Sequence, residues 1–231
     1  MIARICLALL STIPVTQSAL AAPPSHPPLI PFPTSVEWNE GSVPITATTV
    51  IEAGGDAVPT ATYLAQTMGL KQGLNGTTDI RLSLVPASRI AGPEAYRLKA
   101  SGKEVLIEAS DPRGLFYGVQ TLRQLVTGAK GSSVVPDIEI SDGPRFAWRG
   151  LLIDVGRHFF GKPTLFELID EMAAYKLNML HLHLTDDPGW RIEIPGYPRL
   201  TQSEVKPGGI REYFTADDIR EIVAYAAERH I

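Results

Sequence analysis

Apolar and polar positions along the first two thirds of the chain recur with short, changing periods. Ile80 to Val85 alternates apolar residues with Arg81 and Ser83, Tyr96 to Lys99 and Val105 to Glu108 do likewise, and Gly102-Lys103 sits in a turn between the last two. A period of two predicts adjacent strands of one sheet. After Asp111-Pro112, the residues Leu115, Phe116, Val119, Leu122 and Leu125-Val126 recur every three or four positions, which predicts an amphipathic helix ending near Gly128. A shorter helix is predicted over Ala61 to Met68, closed by Gly69. Residues 34–141 therefore read as a small α+β domain.

The pattern changes at Asp142-Gly143-Pro144, which is taken as the domain boundary. Gly150 to Val155 is a nearly continuous apolar run, as expected of a parallel strand buried on both faces. Thr164-Leu165-Phe166-Glu167 has the form of a capping box, and Leu165, Leu168, Ile169, Met172 and Ala173 make one helical stripe. From Asn178 to Thr185, leucines at 180, 182 and 184 alternate with Met179, His181, His183 and Thr185, which predicts a second strand. Thr215-Ala216-Asp217-Asp218 is another acid-closed cap, opening a helix through Ile219, Ile222, Val223 and Ala226. Strand, helix, strand, loop and helix in that order predict an α/β architecture over residues 145–231: the first β/α units of a (β/α)8 barrel. A complete barrel takes about 250 residues, so a truncated barrel and a fragmentary chain are expected.

The N-terminus reads differently. Arg4, the apolar stretch Ile5 to Val15 and Ala19-Leu20-Ala21 have the order of an export signal over residues 1–21, so a periplasmic or extracellular protein is expected. That stretch is too short to span a bilayer, and no membrane association is expected once it is removed. Its removal takes away Cys6, the only cysteine, leaving neither a disulfide nor a thiolate nucleophile. Residues 22–33 read as a Pro-rich leader, extended or linker-like. With 44% hydrophobic and 20% charged residues the chain is compositionally globular. A net charge of −4 without a run of one sign argues against a nucleic-acid partner.

Reactive groups of a parallel barrel gather at the C-terminal ends of its strands. Arg157-His158 occupies the first such end and Asp186-Asp187 the second. An Arg offers a planar fork of donors, and a carboxylate beside it accepts hydrogen bonds from hydroxyls, so Arg157 and Asp186 resemble a polyol-gripping shelf. The alternative is a structural ion pair closing the barrel mouth. Asp154, on a strand, needs a partner, for which Arg149, Arg157 or a histidine is a candidate. Asp187, in Asp187-Pro188-Gly189-Trp190, has the setting of a loop brace. Asp154, His158, His183 and Asp187 are thus expected in supporting roles. His181-Leu182-His183 puts two imidazoles on one strand face, a spacing that suits a metal, but no third ligand from another strand is evident, and neither a metal nor a cofactor is expected.

Longer blocks carry a family resemblance. Phe146-Ala147-Trp148-Arg149-Gly150-Leu151-Leu152-Ile153-Asp154-Val155-Gly156-Arg157-His158-Phe159, then Lys176-Leu177-Asn178-Met179-Leu180-His181-Leu182-His183-Leu184-Thr185-Asp186-Asp187, then Gly189-Trp190-Arg191-Ile192-Glu193-Ile194 resemble the opening of the catalytic barrel in β-N-acetylhexosaminidases of glycoside hydrolase family 20. Asp111 to Leu122 similarly resembles the helix of the small α+β domain that precedes that barrel. The resemblance implies an exo-acting hydrolase that releases terminal N-acetylglucosamine or N-acetylgalactosamine from β-linked glycans or chitin-type oligosaccharides. Its retaining mechanism is substrate-assisted, with the 2-acetamido oxygen attacking the anomeric carbon while a Glu protonates the leaving oxygen and an Asp holds the acetamido group. Carried over by position, Arg157 matches the arginine that grips hydroxyls of the terminal sugar, and Asp186 an acidic residue shaping the same pocket. The Asp-Glu catalytic pair matches nothing here and is expected beyond Ile231, so no turnover is expected of this chain by itself. Asp186-Asp187 is not that pair, since it follows the second strand and no Glu adjoins it. Pro188 stands where many bacterial relatives carry Gln. Two other readings remain: a non-catalytic sugar-binding or assembly module using Arg157 and Asp186, and a metal-dependent barrel hydrolase built on His181 and His183.

Overall fold

In the computed structural model, which describes residues 26–73, 79–129 and 131–231, the first part of the chain builds one sheet covered by helices. Its elements are β1 (Ser35–Ile45), β2 (Val50–Ala53), α1 (Val58–Met68), β3 (Lys71–Gln72), β4 (Asp79–Leu84), β5 (Tyr96–Ser101), β6 (Glu104–Ala109), α2 (Pro112–Leu125), β7 (Thr127–Ala129) and β8 (Ser132–Asp142). The strand order is β1-β8-β5-β6-β4-β2-β3, with β7 beside β8. The three strands legible in the sequence are neighbours, β5 antiparallel and β4 parallel to β6. Tyr96, Leu98 and Ala100 of β5 and Val105, Ile107 and Ala109 of β6 turn inward, while Arg97 and Lys99 face solvent. The pleat sorts the two kinds of residue to opposite faces.

Helix α2 lies across this sheet on Leu115, Phe116, Val119 and Leu122, all buried. A Cβ at Gly118 would stand 2.5 Å from the Ile107 methyl, so a glycine here lets helix and strand touch. Asp111 caps the helix by accepting from the Gly114 N–H at 2.9 Å. The helix ends at Leu125 rather than near Gly128, because residues 127–129 leave it to pair with β8. Helix α1 begins at Val58, three residues before the expected start, and ends at Gly69 in the left-handed conformation as expected. The leader is not free over residues 26–33: Leu29 is buried, and the Gln124 amide exchanges hydrogen bonds of 2.8 Å with the backbone of Ile30. The export signal and residues 22–25 lie outside the described residues.

The second part holds β9 (Gly150–Asp154), α3 (Lys162–Ala174), β10 (Met179–His183), β11 (Thr185–Asp186), β12 (Gly189–Trp190), β13 (Val205–Lys206), β14 (Ile210–Arg211) and α4 (Ala216–Ala227). Strands β9 and β10 are parallel, with Asp154 opposite His183. Ile153, Val155, Leu180, Leu182 and Leu184 pack with Leu165 and Ile169 of α3, Ile222 of α4 and Phe214. This is the β/α arrangement of a partial barrel.

Strand β9 packs on the helices through Ile153 and the adjoining Val155; Leu152, on the opposite face, is 55% exposed on the side that the further strands of a complete barrel would cover. Two expectations are corrected here. The strand predicted over 178–185 ends at His183, and Thr185–Asp186 instead pairs back antiparallel with Gly189–Trp190. Helix α3 starts at Lys162 behind Gly161, with no side-chain cap, because Pro163 suits the first turn; Thr164 is already helical and forms no capping box. The second predicted cap does form, Thr215 and Asp218 each accepting from the other's backbone N–H in a full capping box.

Candidate functional site

The end of β9 is shaped by short-range bonds. The N–H groups of Val155 and Gly156 both donate to the His183 carbonyl, at 3.2 and 3.0 Å, which binds the two strand ends together. Gly156 passes so close to the second strand end that a Cβ there would lie 3.4 Å from that of Asp186. The chain then turns, and the Arg157 N–H donates to Asp154 Oδ1 at 2.9 Å, an Asx-type closure.

The Arg157 guanidinium spans two carboxylates. Nη1 donates to Asp154 Oδ2 at 2.5 Å, and Nη2 stands 2.8 Å from Asp186 Oδ2. His183 Nδ1 lies 3.3 Å from the same Asp154 oxygen. The backbone N–H of Arg157, then its side chain and His183, hold the Asp154 carboxyl below the usual carboxylate range. Both carboxylates are half-buried, yet the Arg157 side chain is 66% exposed. The two carboxylates fix the guanidinium at the mouth of the partial barrel, and among the described residues it faces solvent. It presents donors beside acceptors, the chemistry that a sugar's hydroxyls match.

The other expected residues separate. His158 faces outward with its ring 4.9 Å from that of Phe160, and takes no part in the cluster. Asp187 is exposed at the turn, its N–H donating to Asp186 Oδ1 at 2.8 Å, while Trp190 Nε1 donates to the Ile192 carbonyl. Arg149 is not the partner of Asp154; it pairs with Glu94 at 2.8 Å. Asp154, His183 and Asp186 offer ligand atoms within 4.8 Å of one another. The Arg157 guanidinium already supplies the positive charge between the two carboxylates, and His181 is outside the group. Asp170-Glu171, the one Asp-Glu dipeptide of the chain, lies on α3, where Asp170 accepts from Tyr225 and Arg229.

The sequence reading assigned no role to Arg191 or Glu204. Both are buried and paired beneath the shelf. The available signal was a cation set between apolar Trp190 and Ile192, on a segment whose neighbours pack inward.

The sequence model of "Glycosyl hydrolase family 20, domain 2" matches residues 26–143, and that of "Glycosyl hydrolase family 20, catalytic domain" matches residues 146–231. The chain is 34% identical to N,N'-diacetylchitobiase of Vibrio harveyi over 88% of its own length and 26% of that protein's. It is 37% identical to the β-N-acetylhexosaminidase of Cellulomonas fimi, over 88% and 44% respectively. Among solved structures, Streptomyces plicatus N-acetyl-β-hexosaminidase in complex with Thio-NAglucal superposes with a TM-score of 0.76 at 38% identity, covering 90% of this chain and 46% of that one. The Vibrio harveyi GH20 exo β-N-acetylglucosaminidase in complex with N-acetylglucosamine gives 0.77 at 29% identity, over 88% and 35%. The chain thus spans less than half the length of each of these relatives. Two family models, one on the sheet with its covering helices and the other on the partial barrel that carries the shelf, make this chain a member of glycosyl hydrolase family 20.

Proposed function

We propose that the protein to which these residues belong is an exo-acting β-N-acetylhexosaminidase, and that Arg157 and Asp186 hold the hydroxyls of the terminal sugar. The observation that carries this reading is the exposed Arg157 guanidinium held between Asp154 and Asp186 at two adjacent strand ends. Its free N–H groups donate to sugar oxygens, and the outer lone pairs of Asp186 accept from a neighbouring hydroxyl. Because the guanidinium is already oriented, binding orders few bonds, so more of the interaction appears as affinity. In a substrate-assisted reaction the sugar supplies its own nucleophile. The protein then has to hold the ring, orient the acetamido group and protonate the leaving oxygen. This chain supplies the first task; the acid and the acetamido-orienting carboxylate are assigned to the part of the barrel that it does not match. The same reading takes residues 1–21 as an export signal, with a mature N-terminus at Ala22, which N-terminal sequencing of the exported product tests.

The test of activity is release of the chromophore from an aryl N-acetyl-β-glucosaminide and its galacto epimer by the product of the whole gene, beside the 231-residue chain. Turnover is expected of the former and none of the latter. Arg157→Ala removes charge-assisted hydrogen bonds of about 1.5–3 kcal/mol, so kcat/KM falls roughly 10- to 100-fold. No release by the whole-gene product, or an Arg157→Ala enzyme as active as the parent, overturns the proposal.

A further inference from the structure

We infer that Arg191, through its buried pair with Glu204, is a positioning residue that sets the orientation of Arg157 relative to Asp186. The inference rests on the sugar-gripping role proposed for those two residues and adds what holds them in place. Arg191 is 5% exposed, and both Nε and Nη1 of its head are hydrogen-bonded. Nε donates to the carbonyls of Val155 and Gly156 at 3.2 and 3.3 Å, the two residues immediately before Arg157. Nη1 donates to the Glu204 carboxylate and to the Glu212 carbonyl, the latter at 3.2 Å. The guanidinium lies 5.9 Å from the centre of the Phe159 ring, just beyond Arg157 in the chain.

The same residue also touches the other strand end. Its backbone N–H donates to the Leu184 carbonyl at 2.9 Å, two residues before Asp186. A Cβ on Gly189, the pairing partner of Asp186, would lie 2.3 Å from the guanidinium carbon. One planar group thus abuts both elements that carry the shelf, and glycine at 189 follows from its presence. A lysine is not equivalent: its single nitrogen does not reproduce the separate Nε bonds to two backbone carbonyls and the Nη1 bond to a carboxylate. Glu204 sits on the loop of residues 193–214, so the ion pair also ties that loop to the shelf. Buried carbonyls at a strand end need donors, and here the donor is the residue that sets the spacing of the site.

The test is side-chain NMR of the 231-residue chain with 15N-labelled arginine, comparing the parent with Arg191→Lys and Glu204→Gln. At least tenfold faster water exchange of the Arg157 Nε–H, with the spectrum of the β1-to-β8 sheet unchanged, is expected in both variants. Unchanged Arg157 exchange in either variant overturns the inference. So does general loss of signal dispersion in both, which marks the pair as merely structural. In the product of the whole gene, Arg191→Lys is expected to raise KM for the aryl N-acetylglucosaminide about tenfold with kcat within threefold, about 1.4 kcal/mol of binding. Faster Arg157 exchange with an unchanged KM supports the positioning role and removes the sugar-gripping role of Arg157, so the two failures are distinct.

Discussion

At the scale of single residues, the shelf works because its charges are held by groups that differ in kind. Asp154 takes one backbone N–H and one guanidinium N–H from the same arginine, so its position follows that of Arg157 wherever the turn places it. Asp186 comes from a different strand end and meets the other side of the fork. Replacing Asp154 by Asn keeps the shape and an acceptor for the backbone N–H but removes the charge that aligns Nη1. With Asp186 still present the guanidinium remains bound but swings more freely. The expected result is a KM for N-acetylhexosaminides raised about tenfold, the loss of one charge-assisted hydrogen bond, with little change in melting temperature. Steady-state kinetics of the whole-gene product measure it.

At the scale of elements, α4 shows how a start signal becomes stability. Thr215 and Asp218 close a capping box, and Lys162 of α3 reaches Asp218 at 2.8 Å, so one carboxylate caps its own helix and joins a second. The hydrogen bond from Lys162, opposed by partial burial and aided by Thr215, pulls the Asp218 carboxyl down to about 2. A depressed carboxylate stabilises the fold fully above its unfolded value and loses that contribution as pH falls through the folded one. Lys162→Gln is therefore expected to lower stability at pH 7 by an amount that shrinks as pH falls from about 4 towards 2, measured by urea unfolding at each pH. The capping box was legible because Thr and Asp three apart act on their own backbone. The cap position of α3 is Gly161, three residues before the Thr164 cap signal, because Gly161 and Pro163 also suit a helix start, without any side-chain bond.

At the scale of the molecule, the sheet and the partial barrel meet through buried polar groups. The Lys176 ammonium, 6% exposed, donates to the Tyr96 hydroxyl at 2.9 Å and to Asp142 at 3.1 Å, while Arg149 pairs with Glu94 and donates to the Lys176 carbonyl. Burial alone would raise the Asp142 carboxyl; the Lys176 ammonium, helped by Tyr96 and Thr34, outweighs it and holds the group below the usual carboxylate range. Lys176→Ala leaves Asp142 buried without its cation, a loss of about 3–5 kcal/mol for a broken buried pair. The expected outcome is a lower melting temperature and a transition that separates into two, as the parts cease to unfold together, measured by calorimetry.

Local patterning determined much of this protein. The strands β4, β5 and β6, the bodies of α2 and α4, and the placement of Arg157 and Asp186 after two parallel strands follow from periodicity and caps, which act over a few residues. Strand β1 left a weaker trace: it is largely exposed outside Val43 and Ile45, and is held by pairing with residues about a hundred positions away. The same limit applies to the site. The sequence marked Arg157 and Asp186, but only the tertiary structure brought Arg191 to the carbonyls of Val155 and Gly156 and to Glu204, redirected Arg149 to Glu94, and left His158 and His181 outside the cluster. A side chain's type and period are properties of the nearby chain. Its partner at long range depends on where separate strands and loops come to rest, and no local pattern encodes that.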